Sequence, residues 1–571
     1  MTEKELEKVY LSRPFKTRNA DEYDLENVLD LFIDPTDGLI GPFEFSNSII
    51  KGKMGSGKTM YLRANYAYYL YILVPCLLDS SPVVLPVYIR LSDFQNMHNS
   101  ENIYYAIIVK IIEEIVSICK HLQSTDELYR LHTGACTICS LWSTDKELLQ
   151  ILEKLRKLTA DEYIEKVSKS FTTEGSITAS FVELCTNYES SDVCEMKRRD
   201  KPSFQNVVDT CQRLLSPFSG KLLILFDEVG SIDKNFFKNT DVGDSFFETL
   251  MNQLRTLPYV RTKLAVYPHS YSDILKETRY GDIIELECDV SNNNVQFQNF
   301  MIKTVSLIER YIEKSYGEKC HAEDVFKISR EDQILIEQLI NASEGNMRRL
   351  VHLLDSSMTY AYSRCHGTDR ITVEDVLESL ARQGSEMEGQ YQDSDKEFLG
   401  RLAKVCRSRS TYKFTFPNKS TIVNKYTSLS EEYNVINIRQ AGSGRQSTVY
   451  GFDYAYCIYK DIPTHYVKDS EKIDKSRSSV LGEPIKRVAQ LSDEILIQSE
   501  LRGKIEGRIT YLDKASLNGF VEGSDNQSYF ITTDAVIASG KKVRFHVGDR
   551  VRFIPSKLNN TTLTAREVEI L

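Results

Sequence analysis

Residues Gly52-Lys53-Met54-Gly55-Ser56-Gly57-Lys58-Thr59 satisfy the pattern G-x-x-x-x-G-K-[ST] in full. The pattern constrains the fold, because it works only where a strand delivers the chain to a Gly-rich turn and a helix carries it away. Both flanks are present: Phe45 to Lys51 ends in the apolar residues of a short strand, and Lys58 to Tyr71 reads as a helix. Glycines are needed because only a backbone without Cβ lets successive N–H groups converge on phosphate oxygens, with the helix N-terminus adding positive potential. In such a loop Gly52, Gly55, Ser56 and Gly57 cradle the phosphates of a nucleoside triphosphate, Lys58 reaches the β and γ groups, and Thr59 holds Mg²⁺. The competing reading is a Gly-rich turn without a ligand.

A second element stands some 170 residues on. Lys221-Leu222-Leu223-Ile224-Leu225-Phe226 is a continuous apolar run suited to a strand buried on both faces, and it ends in Asp227-Glu228. An aspartate at that carboxyl end can bind Mg²⁺ through water, and the adjacent glutamate can orient and deprotonate an attacking water. Alone the pair is equally a solvated turn; with the loop at 52–59 it completes an ATP site, with Lys58, Asp227 and Glu228 as catalytic residues and Thr59 and Asp227 as metal residues. ATP and Mg²⁺ are the implied cofactors, and ATP hydrolysis the implied reaction.

Further strands are expected at Val83 to Arg90 and Lys263 to Tyr267, with the helical period of Ile103 to Ile118 between the first of these and the acidic strand. Strands alternating with helices imply an α/β fold on a parallel sheet. Residues 119–202 are helical in pattern without strands, an insertion whose role the sequence leaves opaque. A helix is expected at Phe204 to Leu215.

At 571 residues the chain exceeds what one hydrophobic core supports, roughly 250 to 300 residues, so several domains are expected. Helical patterns fill Val295 to Glu313, Arg330 to Ile340, Asn346 to Tyr362 and Val373 to Arg382. The expected organisation is a nucleotide-binding core over 1–290, a helical lid over 291–390, a winged-helix-like module over 391–468, a linker over 469–502 and a small β-barrel over 503–571. The winged-helix reading rests on a helix, a strand near Tyr412 to Phe416, a helix after Pro417 and a strand pair broken at Gly442-Ser443-Gly444. The barrel rests on short alternating strands at regular spacing.

The net charge of −10 argues against indiscriminate coating of nucleic acid. From Leu501 to Leu571, however, 11 Lys and Arg stand against 8 Asp and Glu, so any nucleic-acid surface is local and sits first at the C-terminal end. The longest apolar stretch, Tyr66 to Leu78, spans 13 residues and contains Pro75, too short for a bilayer span of about 20. No membrane partner and a cytoplasmic location are expected, the start lacking the pattern of a secretory signal. Twelve cysteines without framework spacing read as reduced thiols. Cys136 and Cys139 with His132 have partial zinc-site spacing, but no second half completes four ligands.

Gly52 to Thr59, Phe226-Asp227-Glu228, the polar residues after the strand at 263–267, and Gly345-Asn346-Met347-Arg348-Arg349-Leu350 opening a helix resemble the AAA+ P-loop ATPases. The last motif, followed by a winged-helix-like segment, looks most like the origin-recognition and initiator-loader branch. The resemblance places Arg348 at the sensor-2 arginine of the lid, contacting the γ phosphate, and puts sensor 1 near His269 or Ser270. It assigns no arginine finger among Arg255, Arg261 and Arg279, and it implies assembly into a homo-oligomer or with a partner protein. Read without the resemblance, Arg348 is a surface helix arginine paired with a carboxylate.

From Gly507 onward the chain resembles a cold-shock domain, an OB-type barrel that stacks single-stranded DNA or RNA bases on aromatic rings. Tyr511, Phe520 and Phe530 fall at positions matching the family aromatics, whereas Leu512, Asn518 and Thr532 stand where it has two aromatics and a histidine. The same rings would alternatively serve as core or as a protein-docking face. In the winged-helix-like module, Lys419, Arg439 and Arg445 are the candidates for DNA phosphate contacts. Two function classes remain: an initiator-like ATPase coupling nucleotide state to nucleic-acid contact or assembly, and a signal-transducing ATPase switch, as in bacterial stress or phage defence, whose C-terminal domains bind protein.

Overall fold

In a computed structural model of the chain, the strand that feeds the Gly-rich loop is β1 (Ser48–Lys51), and the helix that leaves it is α3 (Lys58–Tyr71). The structure describes residues 1–36, 41–73, 76, 81–95, scattered positions over 103–118, 212, 219–229, 246–267, 281–288, 290, 294–328, 334–417, 423–427, 434–442, 447–464, 488–513, 518–532, 545–558 and 562–571. The expected insertion at 119–202, the helix at 204–215 apart from residue 212, and the Cys136, Cys139 and His132 group lie outside the described residues.

With β2 (Val84–Arg90), β3 (Lys221–Asp227), β4 (Val260–Val266) and β5 (Asp282–Glu285), β1 forms a five-stranded sheet in the order β2-β3-β4-β1-β5, parallel throughout. The acidic strand β3 is therefore separated from β1 by one strand, and both end on the same edge. Leu222 to Phe226 are at most 3% exposed, each burial being worth about 1.5–3 kcal/mol, so the apolar run is what fixes β3 in the middle of the sheet. At the described positions between 103 and 118 the chain is helical, with Ile103, Ile107, Ile111, Ile115 and Ile118 buried.

The N-terminal segment does not belong to the sheet. Helix α1 (Glu3–Ser12) starts in a capping box between Thr2 and Glu5, and Leu6, Val9, Tyr10 and Phe15 pack into the helical lid. The Tyr10 hydroxyl donates to the Asp369 carbonyl, 2.9 Å away and 359 residues on. From there the chain runs as a strap through α2 (Leu25–Leu31) back to the loop. Arg63 of α3 holds the strap by donating to the carbonyls of Ala20 and Tyr23.

Beyond α4 (Phe246–Arg255), the lid comprises α5 (Asn294–Tyr316), α6 (Ala322–Val325), α7 (Ile334–Ser343), α8 (Met347–Cys365) and α9 (Val373–Gly389). Then come α10 (Asp393–Ser408), β6 (Lys413–Thr415), α11 (Asn424–Thr427), β7 (Ile436–Gln440), β8 (Val449–Phe452) and α12 (Tyr454–Tyr459). The lid and this module share one hydrophobic core running from Leu6 to Leu501, so the expected boundary near 390 is not a boundary between cores. Gly384 of α9 shows why: a Cβ there would lie 2.5 Å from the Ala455 carbonyl oxygen, so the two helices cross backbone to backbone.

Residues 488–502, expected to be linker, carry β9 (Ala489–Gln490) and α13 (Asp493–Gln498). Strand β9 adds in parallel to β6, giving a four-stranded sheet in the order β7-β8-β6-β9. The C-terminal strands β10 (Ile505–Leu512), β11 (Gly519–Gly523), β12 (Ser528–Ile531), β13 (Arg550–Leu558) and β14 (Thr562–Ile570) close into a barrel in the order β10-β11-β12-β14-β13. Only β12 and β14 pair in parallel. The barrel has its own core around Ile509, Val521, Tyr529, Val551 and Phe553, and Glu500 ties it to the body by accepting from Ser556 at 3.0 Å and pairing with Arg401 and Arg566. Among the described residues no helix is long and apolar enough to cross a membrane.

Candidate functional site

The glycines of the loop at 52–59 answer to close approach and to positive φ. A Cβ on Gly52 would stand 2.2 Å from the Ser56 Oγ. Gly55 and Gly57 have φ of +80° and +97°, the left-handed region that side chains avoid. Gly55 is also pressed by the Asn346 side chain, whose Oδ1 would be 2.5 Å from a Cβ. Inside the loop the Ser56 Oγ is buried without a hydrogen-bond partner among the described residues. Lys58 is 6% exposed and donates to the Gly52 and Lys53 carbonyls at 2.7 and 2.8 Å, with its Nζ 4.0 Å from the Tyr267 ring centroid. A cradle of glycines, an unpartnered buried hydroxyl and a lysine folded over it fit a polyphosphate.

Asp227 ends β3 almost fully buried. Tyr88 Oη donates to its Oδ2 at 2.6 Å, and the Glu228 amide donates to its Oδ1 at 2.8 Å. Burial raises the Asp227 pKa; Tyr88, the Glu228 amide and the Thr59 side chain work in the opposite direction. Thr59 and Asp227 are thus neighbours, a hydroxyl and a carboxylate of the kind that hold Mg²⁺. Glu228 adopts φ of +54°, a strained conformation for a glutamate, which turns its side chain from the strand into the cavity beside the loop.

That cavity is lined by the loop from Met54 to Met60, by Glu228 and Tyr267, and by Met347, Arg348 and Val351 of the lid. Its apolar part is Tyr23, Phe32 and Ile33 of the strap with Leu307 and Tyr311 of α5. Tyr23 and Tyr311 meet edge to face, with centroids 6.1 Å apart. These residues carry no motif, because the strap and α5 are almost 300 residues apart in sequence. Tyr88, Asn346 and Tyr267 were also missed by sequence reasoning. The signal for Asn346 was present, since it caps α8 by accepting from the Arg349 amide at 3.0 Å.

The lid grips the loop at this cap. Asn346 Nδ2 donates to the Met54 carbonyl at 2.7 Å, and the Arg348 amide donates to the Gly55 carbonyl at 3.1 Å. The two arginines then part. Arg348 faces the cavity, whereas Arg349, 2% exposed, makes a bidentate pair with fully buried Asp453 at 2.7 and 2.8 Å. The structure therefore brings Lys58, Thr59, Glu228 and Arg348 to one cavity, with Asp227 directly behind Thr59.

Other candidates fare differently. Arg439 does not present itself to DNA phosphate: it is half-buried against the lid and donates to Glu344 Oε1 at 2.5 Å, because Glu344 closes the turn before the Asn346 cap. Lys419, Arg445, His269, Ser270 and Arg279 lie outside the described residues. Arg255 and Arg261 sit at the amino end of β4, opposite the edge that carries the loop. On the barrel, Tyr511 and Phe520 are 56% and 41% exposed and Phe530 is half-buried. Their rings form a row across β10, β11 and β12, with centroids 6.5 and 5.6 Å apart, outside the core that Tyr529 fills. Leu512 packs against that core.

Fold and site define a mixed α/β protein on a parallel sheet. Residues 13–90, which hold the strap, the loop and β2, match the family model described as ORC-CDC6-like. No curated protein matches the chain in sequence. Among solved structures, the Aeropyrum pernix ORC2 protein, determined as ADPNP–ADP complexes, is similar over 76% of this chain and 88% of its own, with 11% identity and a TM-score of 0.33.

Proposed function

We propose that the chain is an initiator-like AAA+ ATPase that binds ATP with Mg²⁺, hydrolyses it, and couples its nucleotide state to nucleic-acid contact or to assembly. The observation that carries this reading is the convergence of the phosphate loop, the acidic strand end and the lid's capped helix on one cavity. Gly52, Gly55, Ser56, Gly57 and Lys58 hold the phosphates, and Thr59 and Asp227 hold Mg²⁺, which draws charge from the phosphates when bound. Glu228 takes the proton of the attacking water, and Arg348 meets the γ phosphate from the lid. The module over 391–468 is read as a winged helix and the barrel as a cold-shock-like domain, whose row of Tyr511, Phe520 and Phe530 offers stacking faces to single-stranded bases. The strap and α5 give the site its apolar half.

The experiment is Glu228→Gln, which keeps size and polarity and removes the base. The variant should bind ATP as tightly as the wild type and release no phosphate in a coupled assay. A variant that hydrolyses ATP at the wild-type rate removes Glu228 from the reaction.

A further inference from the structure

We infer that Tyr88 is a positioning residue for Asp227, setting how well the acidic strand end supports Mg²⁺. This rests on the nucleotide reading above and adds a residue to it that no motif marks.

The placement comes from register. Strands β2 and β3 run parallel with Tyr88 opposite Leu225 and Arg90 opposite Asp227, so Tyr88 sits one pleat behind the carboxylate on the same face of the sheet. From there the phenol reaches forward to Oδ2 at 2.6 Å, while the Glu228 amide holds Oδ1 at 2.8 Å. A carboxylate held at each oxygen from a different direction cannot rotate. Thr59 is the third side chain or amide bonded to it.

The phenol is itself held. Its ring lies against Tyr66 of α3 with centroids 6.0 Å apart, so the donor is fixed to the same helix that presents Thr59. Arg90, one pleat further on, is engaged with Asp21 of the strap, and the β2 side chain that bonds to Asp227 is Tyr88.

Mg²⁺ held through water demands near-ideal octahedral geometry, so a carboxylate free to rotate loses affinity for the ion without losing its charge. Second-layer donors of this kind typically change metal affinity by about 10- to 100-fold when removed. Nucleotide contacts made by the loop itself do not pass through Tyr88, so they should survive its loss.

The test is Tyr88→Phe in the full chain, which keeps the ring against Tyr66 and removes one hydroxyl. ATP binding is measured by calorimetry in EDTA and then across a Mg²⁺ titration, with thermal unfolding alongside. The expected result is unchanged affinity in EDTA, an unchanged melting curve, and a Mg²⁺ midpoint raised about tenfold. Asp227→Asn serves as the reference for loss of the Mg²⁺-dependent gain. A wild-type Mg²⁺ midpoint in Tyr88→Phe overturns the role of Tyr88 and leaves the nucleotide site standing. Failure of the wild type to bind ATP with or without Mg²⁺ overturns both. If Tyr88→Phe weakens binding equally in EDTA and Mg²⁺, the hydroxyl supports the site's architecture, and the inference fails.

Discussion

Arg349 and Asp453 offer the sharpest test of how the lid is joined to the module beyond it. The guanidinium is 2% exposed, the aspartate fully buried, and two hydrogen bonds of 2.7 and 2.8 Å connect them. Asp453 has a second task, since its Oδ1 accepts from the Ala455 amide at 2.9 Å and caps α12. Arg349→Met fills much of the arginine's volume but leaves a carboxylate in the core with no cation, a loss of about 3–5 kcal/mol. Asp453→Asn strands the guanidinium instead and keeps the cap, because asparagine caps as well as aspartate. The double variant buries no unpaired charge, so it should be less damaged than the two single losses added together, with a coupling energy of about 1–3 kcal/mol. Urea unfolding followed by near-ultraviolet circular dichroism of the tyrosines reads these changes. The barrel, with its separate core, provides an internal control whose transition should not move. A single variant costing under about 1 kcal/mol, or strictly additive losses, would refute the argument that this pair fastens the two parts.

Three further outcomes are expected. Lys58→Ala removes the ammonium that meets the β and γ phosphates, so ATP affinity measured by calorimetry should fall at least about tenfold, roughly 1.4 kcal/mol; unchanged affinity would sink the site. Phe530→Ala in the full chain should weaken binding to a single-stranded oligonucleotide by about 1–3 kcal/mol in anisotropy at low salt, with the melting curve as control. A folded wild type that binds no single strand would turn the barrel toward protein docking. Lys263 is buried, donates to Asn65 and to the Pro42 carbonyl at 2.8 and 2.9 Å, and is lowered by burial to about 8. The unfolded chain therefore holds this proton to higher pH than the folded one, and the residue's contribution to stability rises as pH climbs from about 8 toward 10.5. Relative to Lys263→Met, the wild type should gain about 2 kcal/mol between roughly pH 8 and 10, and a flat difference would contradict the assignment.

How much of this was legible depended on whether a residue's neighbours were local. Helix α3 was read to the residue, because the loop pattern demands a helix starting at its lysine, and Val84–Arg90 and Lys221–Asp227 were read to within one residue from their apolar runs. Strand β5 went unread: four residues with one buried side chain carry too little pattern, and only pairing with β1 makes them a strand. The capping box at Thr2 and Glu5 was a local signal for α1 that went unused. The core shared across residue 390 was hidden for a deeper reason. Apolar spacing tells which face of a helix is buried but not against what, and α9 buries its face against α12 rather than within the lid alone. The site divides the same way: its polar half lies in contiguous motifs, while Tyr23, Phe32, Tyr311 and Tyr88 are recruited by tertiary packing.

The long reach of α1 sets a clock on biosynthesis. Its Tyr10 is bonded to Asp369, 359 residues downstream, and the strap after it lines the cavity together with Tyr311 and Arg348. At translation speeds of about 5–20 residues per second, roughly 20 to 70 seconds separate the emergence of the helix from that of its partner. Until Tyr311 and Phe326 emerge late in that interval, Phe15 lacks the rings that cover it, and a chaperone that binds short apolar segments has a defined window in which to act. Nucleotide, in turn, cannot assist the early chain. The pocket is complete only after the lid has left the ribosome, so ATP can select only among chains that have already brought their first helix home.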